Sequence, residues 1–182
     1  MFCSHTFCRK EPKGVAVCIV DPDKKQVLLG RERFGKYRDK FNLCAGSLEP
    51  EDGGCAIMAA KRELREEFKL CLDDFDSHFA LRRSNMWRLV MVGTTPVLIG
   101  HFNTNTLPTA GHLTDQMKAA IENETLPGTH KEMAEAQWFP WDDHDTMAWS
   151  RFARVVLKKI LQRFSRGMSS YKNMTSITTR PS

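Results

Sequence analysis

The chain lacks any apolar run of about 18 or more residues, the minimum for a helix that spans a bilayer, so no membrane segment is expected. Met1 to Lys13 carries Cys3, His5, Cys8, Arg9 and Lys10 but no apolar stretch of its own, and it does not read as a secretory signal. The expected compartment is the cytoplasm, with the nucleus as the other candidate. Cysteine pairs at CxxC spacing are also missing. The six cysteines, Cys3, Cys8, Cys18, Cys44, Cys55 and Cys71, are read as free thiols in a reducing compartment, several of them buried. Only Cys3, His5 and Cys8 suggest zinc, and three ligands at that spacing match no standard finger. A large excess of one sign of charge is missing too. With 27 Lys and Arg against 22 Asp and Glu the net charge is +5, a mild bias toward a polyanionic partner such as a nucleotide, RNA or an inositol phosphate.

What is present suffices for one domain with a real core: 182 residues, 41% of them hydrophobic, and no internal repeat. Gly14 to Val20 (GVAVCIV) reads as a strand, Asp21 to Lys25 as a turn, and Gln26 to Gly30 as a second strand of a hairpin. Arg31 to Lys40 is a cation-dense loop, followed by a short strand over Phe41 to Ala45 and a Gly- and acid-rich loop over Gly46 to Gly54. Cys55 to Leu70 is the best helix in the chain. Strands are predicted around His78 to Arg82, Trp87 to Val92 and Pro96 to Phe102, with a short helix near Asp115 to Asn123. An extended segment runs from Glu135 to Trp141. Ala148 to Arg163 is a closing helix with Phe152, Val155, Val156, Ile160 and Phe164 on one face. This order predicts an α/β class protein, an α/β/α sandwich around a mixed sheet.

The segment Arg62-Glu63-Leu64-Arg65-Glu66-Glu67 carries the chemistry. At about 100° per residue, its three glutamates lie within roughly 100° of one another on the helix surface. Ile57, Leu64 and Phe68 form the neighbouring core arc, and Ala56 and Ala59 leave room beside the acids for an ion or a phosphate. Three carboxylates this close repel one another. A hard divalent cation removes that repulsion, and carboxylate oxygen is the donor magnesium prefers. Taken alone, an RELREE helix is more readily a solvated acidic face with salt bridges from Lys61, Arg62 and Arg65.

The loop before it decides between these readings. Ala45-Gly46-Ser47-Leu48-Glu49-Pro50, an acidic Gly-rich stretch, and then Ala59 through Glu67 resemble the Nudix box, G-x5-E-x7-R-E-U-x-E-E-x-G-U with U aliphatic. The opening hairpin and Glu132 to Asp143 are also similar to the family, so the resemblance extends to about Arg163. It implies a Nudix hydrolase domain over 14–166, an N-terminal extension over 1–13 and a flexible polar tail over 167–182. There are two departures. Counting forward from Gly46 puts the box's spaced Glu at Asp52, while counting back from Arg62 puts it at Gly54. The loop is therefore two residues longer, and Glu51 or Asp52 replaces that Glu. Lys69 stands where the family has Gly, and a lysine is expected not to take a left-handed cap easily.

The resemblance implies roles. Glu66 and Glu67 are the principal ligands of Mg2+ or Mn2+, Glu63 a further ligand or the base, Arg62 the residue that holds the glutamates, and the carbonyl of Ala45 or Gly46 a completing ligand. Glu132 is a candidate outlying base or extra ligand, and Glu135 a weaker one. Arg31, Arg33, Lys36, Arg38 and Lys40 are placed to receive phosphates, and Phe34 or Tyr37 to stack on a base; a charged solvent loop is the alternative. Trp87, Trp138, Trp141 and Trp149 are read as core or sheet-face residues. The implied activity is hydrolysis of a pyrophosphate bond in a nucleotide-type substrate; the basic balance and the cationic loop put mRNA decapping ahead, and the chain also somewhat resembles Nudix proteins of large DNA viruses. A diphosphoinositol polyphosphate or dinucleoside polyphosphate hydrolase, and a catalytically silent nucleotide- or RNA-binding module, are the alternatives.

Overall fold

The run GVAVCIVD forms β1 (Gly14–Asp21), and seven of its eight residues are buried. It is apolar at every inner position because it is covered on both faces: Val15, Val17 and Ile19 point into one core cluster, and Ala16, Cys18 and Val20 into the other. The computed structural model describes residues 12–71, 87–102, 107–145 and 148–171. Asp21 closes the turn after β1, its Oδ1 accepting from the amides of Asp23 and Lys24 at 3.0 Å each. The chain returns as β2 (Gln26–Glu32).

β1 and β2 pair only where Ile19 to Asp21 face Gln26 to Leu28. Beyond that they part, and one short segment fills the fork. Its first piece, β3 (Phe41–Asn42), pairs with β2, and its second, β4 (Cys44–Ser47), pairs with β1. The single strand predicted over Phe41 to Ala45 is thus two, divided at Leu43. Each piece satisfies its backbone on a different neighbour, which no local sequence pattern encodes.

α1 (Ala56–Glu67) follows, then β5 (Trp87–Val92) and β6 (Thr95–His101), an antiparallel pair that turns at the left-handed Gly93. β6 lies parallel to β1 on its other side. α2 (Ala110–Glu122) leads to β7 (Met133–Pro140), antiparallel to β2, and α3 (Arg151–Tyr171) closes the chain. Among the described residues the sheet has seven strands and is mixed. α1 and α2 pack on one face through Ala60, Leu64, Phe68, Leu113 and Met117; α3 packs on the other through Ala153, Val156, Leu157 and Ile160. The α/β/α sandwich expected from the element order is the observed fold.

Two elements differ from expectation. α2 starts at Ala110 because Thr109 caps it, accepting from the amide of His112 at 3.1 Å. In α3 the buried stripe is Ala153, Val156, Leu157 and Ile160, and Val155 is 44% exposed. The predicted strand at His78 to Arg82 and the Cys3–Cys8 cluster lie outside the described residues, as do residues 172–182 of the tail expected from 167 and the side chains of Trp87 and Phe164; the backbone of 167–171 continues α3. Trp149 is a core residue, its ring 5.5 Å from Phe139. Cys18, Cys44 and Cys55 are buried and in no disulfide. α2 also covers the outer edge of β7: Thr114 Oγ1 accepts from the amide of Ala136 at 3.0 Å and lies 3.2 Å from its carbonyl.

Candidate active site

The site lies at the fork, where α1 runs past β4. Burial decides the orientation of α1. Ala56, Ala59, Ala60, Leu64 and Phe68 turn into the core, which carries Glu63 and Glu67 to the seam between helix and sheet. Ala56 and Ala59 are fully buried there, so they serve packing and do not line an open ion site as expected. Ile57 is only half-buried.

Glu67 is 4% exposed, and its Oε2 accepts from the amide of Ala45 at 3.0 Å. Glu63 is 7% exposed and lies against Gly46: a Cβ built there meets Glu63 Oε1 at 1.8 Å. Only glycine lets the carboxylate approach the strand so closely. Glu66 lies further along the same edge, its Oε1 3.8 Å from His130 Nε2 and its Oε2 3.3 Å from Arg62 Nη1. Among the described residues no three acidic, imidazole or thiol groups converge on one point. The glutamates form an acidic edge, not a ready-made cage.

Arg62 organises that edge. It is 5% exposed, and its Nη1 lies 2.8 Å from Glu63 Oε1 and 3.3 Å from Glu66 Oε2. Its Nη2 donates to the Ser47 carbonyl at 2.8 Å and to Asp52 Oδ2 at 3.1 Å. Glu49 and Glu51 stand further off, at 3.5 and 3.8 Å. A planar guanidinium with five donors can serve this many acceptors; an ammonium cannot.

The longer loop is built around the same arginine. Pro50–Asp52 form one 3-10 turn, with Glu49 and Asp52 in a reciprocal capping box, and Gly53 and Gly54 leave it in left-handed conformations. Asp52 is the buried acid against Arg62, whereas Glu51 is 68% exposed at its side chain.

Lys69 departs from expectation. It does adopt the left-handed conformation, φ +57, and the Leu70 amide closes the helix end onto the Leu64 carbonyl at 3.1 Å. Its ammonium donates to the carbonyls of Glu66 and His130, which offsets the cost of a non-glycine residue there.

A fourth acid comes from far along the chain. Glu132 follows a 3-10 turn over Gly128–Lys131 and immediately precedes β7. Its charge is felt by Glu63 and Glu67. Glu135 is separate, in an ion pair with Arg31 at 2.9 Å. Glu32, which sequence reading left out by ending β2 at Gly30, is a fifth acid of this group; its Oε1 accepts from Asn42 Nδ2. The alternation of Leu28, Gly30 and Glu32 on one strand face was the available signal.

Burial and crowding raise the proton affinity of these acids. Burial pushes Glu63 up to about 7, with Arg62 opposing and Glu66 and Glu132 adding to it. Burial, then Glu63, holds Glu67 well above the carboxylate range despite the Cys44 and Ala45 donors. Burial, then Glu32 and Glu66, raises Glu132. Burial lowers Lys69, with Glu66 and Glu67 opposing.

The cationic loop touches the Glu132 segment through Arg33. Arg33 Nη1 donates to the Lys131 carbonyl at 2.9 Å, and its guanidinium sits 4.7 Å over the Phe34 ring, which is 55% exposed. Lys36 lies 5.5 Å over Tyr37. Arg31 borders a cleft of about 510 Å³ between α2 and β7, with Thr114, Lys118 and Glu135.

A family model described as NUDIX domain matches residues 10–160. The chain belongs to the Nudix family. The Nudix domain of Shewanella oneidensis NrtR, solved with ADP ribose, is similar over 83% of this chain and 86% of its own, at 10% identity and a TM-score of 0.56. Shewanella oneidensis NrtR with a 27mer DNA is similar over 84% of this chain at 12% identity and a TM-score of 0.53, and this chain spans 62% of its length. A Nudix hydrolase from Nitrosomonas europaea shares 19% identity over 86% of this chain and 89% of its own, with a TM-score of 0.49. No curated protein matches the sequence. At such identities the likeness concerns the fold, that of a Nudix hydrolase-type domain.

Proposed function

We propose that this Nudix protein is a metal-dependent pyrophosphohydrolase acting on a nucleoside diphosphate-linked substrate, with capped RNA first among them. The observation that carries this reading is the placing of Glu67 on the Ala45 amide and of Glu63 against Gly46, with Glu63 and Glu66 joined through Arg62 Nη1. Two enclosed carboxylates with raised proton affinity, and a strand left bare by Gly46, fit a hard divalent cation. Glu63, Glu66, Glu67 and the Gly46 carbonyl are the donors we assign to Mg2+ or Mn2+. When bound, the ion neutralises phosphate charge and acidifies a water molecule.

The chain's own residues supply the rest. Arg62 orients Glu63 and Glu66 through short ion pairs. Glu132 accepts the proton of the attacking water at its carboxylate, and its raised proton affinity suits a base. Glu63 is the other candidate for that proton. Arg31 and Lys36 receive phosphate oxygens, and exposed Phe34 offers a face to a base. The similar NrtR domain bound ADP ribose, itself a nucleoside diphosphate-linked molecule, which favours this substrate class.

The test is turnover with Mg2+ or Mn2+ over capped RNA, nucleotide sugars, dinucleoside polyphosphates and diphosphoinositol polyphosphates. Glu67→Gln preserves an acceptor for the Ala45 amide and should lower turnover by about a hundredfold or more. Full turnover in both Glu66→Gln and Glu67→Gln removes the metal edge from the reaction. Tight binding with no turnover across the panel favours a silent nucleotide- or RNA-binding module.

A further inference from the structure

We infer that Lys69 is a positioning residue that ties the loop carrying Glu132 to the end of α1. Its Nζ donates to the Glu66 carbonyl at 2.5 Å and to the His130 carbonyl at 2.7 Å. The first belongs to the last turn of α1, where carbonyls have no partner within the helix. The second lies two residues before Glu132, in the 3-10 turn that leads into β7. An ammonium has three donors, enough to join both elements.

The loop is gripped from the opposite side as well. Arg33 donates through its side chain to the Lys131 carbonyl at 2.9 Å and through its amide to the Glu132 carbonyl at 2.9 Å. Three consecutive carbonyls, those of His130, Lys131 and Glu132, are therefore bound by two cationic residues, one just beyond the end of α1 and one just beyond the end of β2. Backbone conformation alone does not call for lysine: at φ +57 a glycine sits without strain and a lysine does not. What lysine adds is reach.

The inference rests on the reading above that Glu132 takes part in turnover, and the experiment separates the two. Lys69→Gly relaxes the backbone and removes the tether; Lys69→Met keeps the length without donors; Lys69→Arg restores donors. We expect amide exchange across residues 128–133 to quicken about tenfold or more in the Gly and Met variants. Their kcat should fall at least about tenfold with KM and Mn2+ affinity changed less than about twofold, since a misplaced group costs rate more than binding. The Arg variant should regain part of both. Equal exchange in wild type and Lys69→Met overturns the tether. Quickened exchange with unchanged kcat overturns positioning if Glu132→Gln is inactive. Full turnover of Glu132→Gln shows instead that the role given to Glu132 is wrong, and exchange alone then decides the tether.

Discussion

Replacing Gly46 by alanine tests the seam between α1 and β4 directly. The new methyl carbon meets Glu63 Oε1 at 1.8 Å, Cδ at 2.2 Å and Oε2 at 2.6 Å. Ordinary contact begins near 3.4 Å, so the carboxylate must retreat by more than an ångström. The obstacle is the far end of a flexible side chain, and Gly46 is not among the positive-φ glycines, so the backbone accepts alanine. Removing a glycine also favours the folded state by roughly 0.4–1 kcal/mol through the unfolded chain. Stability should stay within about 1 kcal/mol, a shift of a few degrees in melting temperature. Turnover should not survive so well, because displacement of a reacting group by about 1 Å costs on the order of a hundredfold. The assay is kcat/KM on the best panel substrate beside a thermal melt. Gly14→Ala is the contrast: its Cβ meets the Gly46 backbone oxygen at 2.7 Å, so stability and activity should fall together. If Gly46→Ala keeps wild-type turnover and melting temperature, the position of Glu63 against β4 is not what catalysis requires.

Arg62→Lys keeps the charge but loses the fork that serves Ser47, Asp52 and Glu63, and it should cost about 3 kcal/mol, read as a drop on the order of 10 °C in melting temperature. In chelator, stability should depend on pH through Glu63. A carboxyl raised to about 7 favours the folded state fully below pH 4.5, and that contribution is lost as pH rises through 7, amounting to roughly 3 kcal/mol. Melting temperature should therefore fall between pH 5 and 8, and Glu63→Gln should make that fall shallower, with Glu67 and Glu132 supplying the remainder; a flat wild-type curve refutes the burial argument. Thr114→Val leaves the Ala136 amide without its acceptor and should cost about 1–2 kcal/mol in urea unfolding, with faster exchange at Ala136.

The sandwich, the hairpin and the acidic helix were legible because each rests on local periodicity: Glu63, Glu66 and Glu67 share an edge in any α-helix. What was not legible depended on partners distant in sequence. The division at Leu43 exists because β1 and β2 diverge. Glu32 joined the acids only because β7 draws β2 two residues past Gly30. The left-handed Lys69 ran against propensity because a carbonyl of His130 rewards it. Asp52 and Glu51 were indistinguishable by counting; burial against Arg62 separates them.

The two cross-links between α1 and β4, Arg62 to the Ser47 carbonyl and Glu67 to the Ala45 amide, bypass the connecting segment altogether. Helix and strand are registered by these bonds, not by the number of residues between them. Connector length is thereby a free parameter, which explains how two extra residues were absorbed by a turn and a pair of glycines. The outer turn at Gly53–Gly54 is accordingly the place where an insertion, or a grafted reporter peptide, should leave the chemistry of the fork intact.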